Sequence, residues 1–244
     1  MKSAFFIPVY NQEQELPPLI QELKARNSAD PYIFFINNGS TDNSRALIQS
    51  SGLDCIDLPR NKGIGHSFMV AFDWAIEHDY QILGVLAGNG KMLPAEIDRV
   101  LQPVLADEAD YVTGSRYMSG GSSPNLPRFR QLAIPMVNHM VRLLYGQKLT
   151  DATCGFKAIK IDILKHTSFD WHHPRLDTYG FEYYLYGKVL LSKEVRWKEV
   201  AVTMRYPTSG KRYSKIKPFI GWFQMLKPWW LARFDQKRIT WKRI

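Results

Sequence analysis

Five short apolar runs, Ala4–Val9, Tyr32–Asn37, Asp54–Leu58, Ile82–Leu86 and Tyr111–Gly114, are separated by segments of helical pattern at Pro17–Arg26, Asn43–Gln49, Gly65–His78 and Pro94–Leu105. A strand that is apolar throughout needs cover on both faces, and a helix between successive strands supplies it. The alternation therefore predicts an α/β fold with a mostly parallel central sheet flanked by helices. Pro17, Pro18 and Pro94 suit a first helical turn, where a missing N–H leaves no bond unmade. Sheets of this kind bind ligands where their strands end. The loops so marked are Tyr10–Gln12, Asn37–Asp42, Gly88–Lys91 and Ser115.

The second half is less regular. Gly120–Pro124 reads as a mobile loop, Arg128–Tyr145 and Thr178–Leu191 as helices, and Val195–Met204 as an alternating strand. Tyr206–Lys217 is a Gly/Ser/Lys-rich loop, and Ile216–Phe234 resumes a helical pattern interrupted by Pro218 and Pro228. No apolar run approaches the roughly 18 residues of a spanning helix. The first strand starts too early for a signal peptide, and two cysteines without metal-type spacing fit a reducing compartment. A cytoplasmic protein is expected. The six histidines form no ligand pattern, so no metal cluster is expected.

The formal charge of +9 is uneven: eleven basic residues from Arg205 to Arg243 face only Asp235. Trp222, Trp229, Trp230 and Trp241 share that segment. Tryptophans among lysines and arginines suit the headgroup layer of an anionic membrane, which predicts peripheral attachment to the inner membrane face through residues 219–244. A tail packed on its own domain or on a partner chain is the alternative. The near-neutral remainder argues against a nucleic-acid partner.

The ordered set IPVYNQEQEL, INNGSTDNS, NKGIGHSF, LAGNGK, TGSRY, LTDATCGFKAIK, GFEYY and SGKRYSK resembles the inverting family 2 glycosyltransferases, and within them the dolichyl- or polyprenyl-phosphate sugar synthases. The resemblance runs from Ala4 to Lys217 and implies a GT-A fold over residues 1–217, with the basic, Trp-rich segment 218–244 appended. It implies a nucleotide-sugar donor on the loops around Pro8, Tyr10, Asn11, Gln12, Asn37, Asn38, Ser40, Asp42, Asn61, Gly63, Gly65, Gly88 and Asn89. It further implies an acceptor phosphate at Arg116 with Arg130, and a basic loop at Arg212 and Lys215 that closes over the donor phosphates. Asp151 and Glu182 are the acids remaining in motifs; the plain alternative for Glu182 is a first-turn acid facing the helix dipole.

The chain departs from its relatives in one chemical direction. They carry an acid after Tyr-Asn, an Asp pair before Gly-Ser, and an Asp-x-Asp that holds Mg2+ or Mn2+ on the diphosphate. Here stand Gln12, Asn37, Asn38 and the triplet Ala87-Gly88-Asn89. A divalent cation needs hard, charged oxygens, which an amide and a methyl do not supply. Lys91, two residues beyond Asn89, provides a point charge instead, so no metal cofactor is expected, with Mg2+ or Mn2+ as the alternative. An amide also donates as well as accepts, so Asn37 or Asn38 could meet cytosine as readily as uracil or thymine.

The function expected is inverting sugar transfer from a nucleotide-sugar to a polyprenyl phosphate, with Lys91, Arg116, Asp151 and Glu182 as catalytic candidates. A glycan hydroxyl in polysaccharide synthesis is the enzymatic alternative, and a non-catalytic binding or scaffold module is the other; the sequence leaves open whether the chain forms an oligomer. The retention of Arg116, Asp151, Glu182 and Lys215 argues against decay.

Overall fold

The computed structural model describes residues 1–26, 28, 30–165, 176, 180–208 and 220–234, with the backbone alone for 165 and 220–225. Its strands are β1 (Ser3–Val9), β2 (Tyr32–Asn38), β3 (Asp54–Leu58), β4 (Ile82–Val85), β5 (Tyr111–Ser115), β6 (Lys157–Lys160) and β7 (Trp197–Ala201). Among the described residues they form one sheet in the order β3-β2-β1-β4-β6-β5-β7. β1 pairs in parallel with β2, Phe6 opposite Phe34, and with β4, Phe6 opposite Val85. β2–β3 and β5–β7 are also parallel. β6 runs antiparallel to both β4 and β5, so the other six strands point one way. The loops after β1 to β5 and after β7 therefore meet at one sheet edge.

The helices are α1 (Leu16–Lys24), α2 (Ser44–Ser51), α3 (Ile64–Glu77), α4 (Ile97–Leu105, after a 3-10 turn at Pro94–Glu96), α5 (Arg128–Tyr145), α6 (Asp162–Lys165), α7 (Gly180–Leu191) and α8 (Ile220–Phe234). Every residue of β1 is buried, as its central place requires. Its two faces follow the period of two. Phe5, Ile7 and Val9 pack with Leu16, Leu19, Ile48 and Val100 from α1, α2 and α4. Ala4 and Phe6 pack with Phe68 and Phe72 of α3 and Phe181 of α7.

Three features differ from the sequence expectations. β6 is short and bounded by lysines, which hides it from a hydropathy pattern; Lys157 is buried there because its ammonium meets the Glu182 carboxylate at 2.8 Å. The Gly120–Pro124 loop is held in place: Ser122 N–H donates to Val202 O (3.1 Å), and Ser122 and Pro124 carbonyls accept from the Met204 and Tyr206 amides at 2.9 and 3.1 Å. Trp229 is a core residue, 1% exposed, whose carbonyl accepts the Tyr145 hydroxyl at 2.6 Å. A Cβ at Gly187 of α7 would stand 2.7 Å from the Ala232 Cβ of α8, so a glycine is what lets these helices meet. Helix α8 thus seats one face on the domain. No helix among the described residues is long and apolar enough to cross a membrane.

Candidate active site

The loops after β1 and β2 are bound to each other side chain to backbone. Asn11, at φ +50°, donates its N–H to Ser40 Oγ (3.1 Å) and accepts the Thr41 N–H on Oδ1 (2.8 Å). Gln12 N–H donates to Ser44 Oγ (2.8 Å), and Asp42 accepts the Glu13 and Ser44 amides at 3.1 and 3.0 Å. Partial burial opposes charge on Asp42, but the bonds from Ser44 and Glu13 prevail and hold its carboxyl below the ordinary range. Asp42 thus ties β1 to the start of α2.

Asn37 and Asn38 sit at the end of β2 as expected, with their amides already engaged. Asn37 donates to Asp57 Oδ1 (2.8 Å) and accepts the Ser40 N–H (3.1 Å). Asn38 donates to Asn61 Oδ1 (3.2 Å) and Gly63 O (2.9 Å) and accepts the Lys62 N–H (3.3 Å). These bonds fix the end of β2 and bring Asn61 and Gly63 to it, with Gly65 buried in the first turn of α3. Gln12 Oε1 is different: it is buried and accepts no hydrogen bond from the described residues. Pro8 O and Gln12 Oε1 lie 2.9 and 2.6 Å from where a Cβ on Gly88 would be, so the turn after β4 can close against β1 only as glycine. Tyr10 is half-buried beside them.

The turn at 87–91 ends on a cation. Asn89 Oδ1 accepts the Lys91 N–H (3.2 Å), and Lys91 itself is 7% exposed, its ammonium 5.2 Å from the centre of the Tyr206 ring. The guanidinium of Arg130, from the first turn of α5, lies 5.6 Å from the centre of the same ring. Arg116 Nη1 donates to the Tyr206 hydroxyl at 2.7 Å. Burial first, then the charges of Arg130 and Arg116, push the Lys91 ammonium down to about 8, with Glu15 acting the other way. Three cations gathered around one tyrosine make a positive field that an anion would relieve.

The two acids of the sequence motifs are both paired. Asp151 is fully buried and holds Arg116 bidentately, Oδ2 to Nε at 2.6 Å and Oδ1 to Nη2 at 3.0 Å, while Thr153 Oγ1 accepts Nη2 at 2.7 Å. Burial opposes the guanidinium charge, yet Asp151 raises Arg116 above its ordinary range. Glu199 fixes the Asp151 loop by accepting the amides of Thr150 and Asp151, each at 2.7 Å. Asn138 of α5 clips the same loop through Thr150 O (2.7 Å) and Ala152 N–H (2.9 Å). Glu182 lies in the first turn of α7, across Gly155 from Met92, joined to Lys157.

A family model for glycosyl transferase family 2 matches residues 4–167. The chain belongs to that family. A polyprenol monophosphomannose synthase from Mycolicibacterium smegmatis is 29% identical over 172 residues, 67% of this chain and 63% of that protein. An undecaprenyl-phosphate mannosyltransferase from Micrococcus luteus is 27% identical over 189 residues, 75% of each chain. The chain thus spans less than two thirds of the smegmatis synthase. The glucosyl-3-phosphoglycerate synthase of Mycobacterium tuberculosis, solved with Mn2+, UDP and phosphoglyceric acid, superposes with a TM-score of 0.67 at 14% identity, over 99% of this chain and 80% of that one. At that identity the likeness establishes the GT-A fold.

In this family 2 glycosyltransferase, the structure brings Lys91, Arg116 and Arg130 together around Tyr206 and sets Glu182 on Lys157 instead, while Arg212 and Lys215 lie outside the described residues. Sequence reading missed Tyr206, which organises the cations, and Arg205, which pairs with Glu22 of α1 at 2.8 Å and donates to Gly90 O at 3.0 Å. The signal for both was the alternating Val195–Met204 segment, since a strand there delivers its next residues to the ligand edge. Read as a tail charge and a loop residue, they brace the 87–91 turn and join its cations.

Proposed function

We propose that the chain transfers a sugar, with inversion, from a nucleotide-sugar to a polyprenyl phosphate at the inner face of a membrane, and that Lys91 takes the place of a divalent cation on the donor diphosphate. The observation that carries this reading is the buried Lys91 ammonium beside Arg116 and Arg130, at the turn where relatives have their acidic triplet. A divalent cation does not fit the residues there: position 87 is a methyl, Asn89 Oδ1 already accepts a backbone N–H, and the local field is positive. Among the described residues no group of three or more His, Cys, Asp and Glu could hold a metal ion.

The charges support a division of work. Lys91 stabilises the departing phosphate, and such fixed charge in a dry site is often the largest catalytic term. Arg116, anchored by Asp151, and Arg130 orient the acceptor. A hydroxyl acceptor would need a general base, but Asp151 serves Arg116 and Glu182 serves Lys157. An ionised phosphate needs none, which favours the lipid phosphate over a glycan hydroxyl. The names of the mycobacterial and Micrococcus relatives point the same way. The basic tail at 219–244 holds the protein at the membrane surface.

The test is sugar transfer in EDTA from a panel of UDP-, GDP-, CDP- and dTDP-sugars to undecaprenyl phosphate. Turnover by the native chain, lost in Lys91→Met and largely retained in Glu182→Gln, is the expected result. Turnover that requires Glu182 and accepts only a free sugar hydroxyl would overturn it.

A further inference from the structure

Helix α5 is apolar on two sides. Its inner side, with Ile134, Val137, Val141 and Tyr145, packs on the domain. Its outer side carries Phe129, Leu132, Met136 and Leu143, which are 63%, 73%, 72% and 73% exposed. Their spacing of three, four and seven residues puts them on one stripe, along a helix whose 18 residues span about 27 Å. α8 extends the stripe outward with Trp230 and Phe234, 47% and 66% exposed and stacked with ring centres 5.9 Å apart. Between the two helices lies an apolar groove of about 730 Å³, lined by Met136, His139, Leu143 and Trp230 among others. A contiguous exposed face of this size marks an interaction surface.

Charge selects the occupant. Neither α5 nor α8 contains an aspartate or glutamate, and Arg128, Arg142, Lys227 and Arg233 stand exposed on them. A second copy of the chain would bring these cations against their own kind, whereas an anionic lipid surface complements them. We infer that the outer face of α5, continued by Trp230 and Phe234 of α8, docks on an anionic bilayer, with lipid chains entering the groove. The site for membrane contact thereby moves from the C-terminal tail alone to a helix in the middle of the chain. Resting on the reading that the acceptor is a lipid phosphate, the inference also explains the placement of Arg130. That residue lies in the first turn of the same helix and reaches the cation cluster, so the helix that docks on the bilayer also carries one of the site's cations.

The experiment is co-flotation of the full chain with vesicles of phosphatidylcholine alone or with added phosphatidylglycerol. The native chain floats with the anionic vesicles, and Leu132→Glu/Met136→Glu lowers the bound fraction by about tenfold or more. Arg128→Glu/Arg142→Glu lowers it less and removes much of its salt sensitivity. The altered residues are exposed, and an unchanged melting temperature confirms folding. Transfer to a short-chain, detergent-dispersed prenyl phosphate stays within about twofold of native in Arg128→Glu/Arg142→Glu, while transfer in vesicles falls in both variants. Equal flotation of native chain and double variant overturns the inference. So does a native dimer in sedimentation equilibrium that the double variant abolishes, which would assign the face to a second copy. If the native chain floats as stated but uses no prenyl phosphate, the lipid acceptor fails and the docking face stands.

Discussion

Replacing Lys91 by methionine should make the protein more stable while disabling it. The side chain keeps its length beside Tyr206 and loses a charge that the free protein holds against burial and two arginines. Lowering the ammonium from 10.5 to about 8 corresponds to about 3 kcal/mol. Loss of the contact with the Tyr206 ring returns about 1 kcal/mol. The net gain of about 2 kcal/mol amounts to roughly 4–8 °C in Tm for a chain of this size. The sign can be checked against pH. The folded value lies below the unfolded one, so the unfolded chain binds the proton more tightly; the penalty is complete below pH 8, shrinks between 8 and 10.5, and is absent above. Thermal melts of both proteins at pH 7 and pH 10 read this directly. A variant that melts below the native chain at pH 7, or a gap that is the same at both pH values, would refute the reasoning.

Other outcomes follow from the same contacts. Asp151→Asn leaves Arg116 buried without its counter-ion and should cost about 3–5 kcal/mol in a urea titration, with Arg116→Met/Asp151→Leu recovering part of it. Gly187→Ala forces a methyl towards Ala232 and the Tyr145 hydroxyl and should cost about 1–3 kcal/mol, with faster proteolysis near α8. Affinity for nucleoside diphosphates should be flat below pH 8 and fall about tenfold per unit above it as Lys91 loses its proton, measured by calorimetry.

The fold was legible where physics is local. The runs that became β1, β2 and β4 are apolar and bounded by helical patterns, and the pattern from Arg128 to Tyr145 gave α5 at both ends. β6 was not legible, because the acid that pairs with its buried Lys157, Glu182, lies 25 residues away. Positions in the site were visible, and pairings were not. Arg116 and Asp151 both stood out, yet nothing in the sequence joins residues 35 apart into one buried ion pair. Asn37 and Asn38 were legible as a departure from acidic relatives, but their bonds to Asp57, Asn61 and Gly63 engage the groups that were expected to read a base. Arg205 and Tyr206 acquire their roles only because β7 ends at the same edge as β4.

Calorimetric titration of the native chain with a nucleoside diphosphate, once in excess EDTA and once in Mn2+, addresses the substitution of protein charge for a metal most directly. The account predicts dissociation constants equal within about twofold in the two buffers, and no measurable binding to Lys91→Met in either. Binding that appears only when Mn2+ is present, and survives the loss of Lys91, would contradict it.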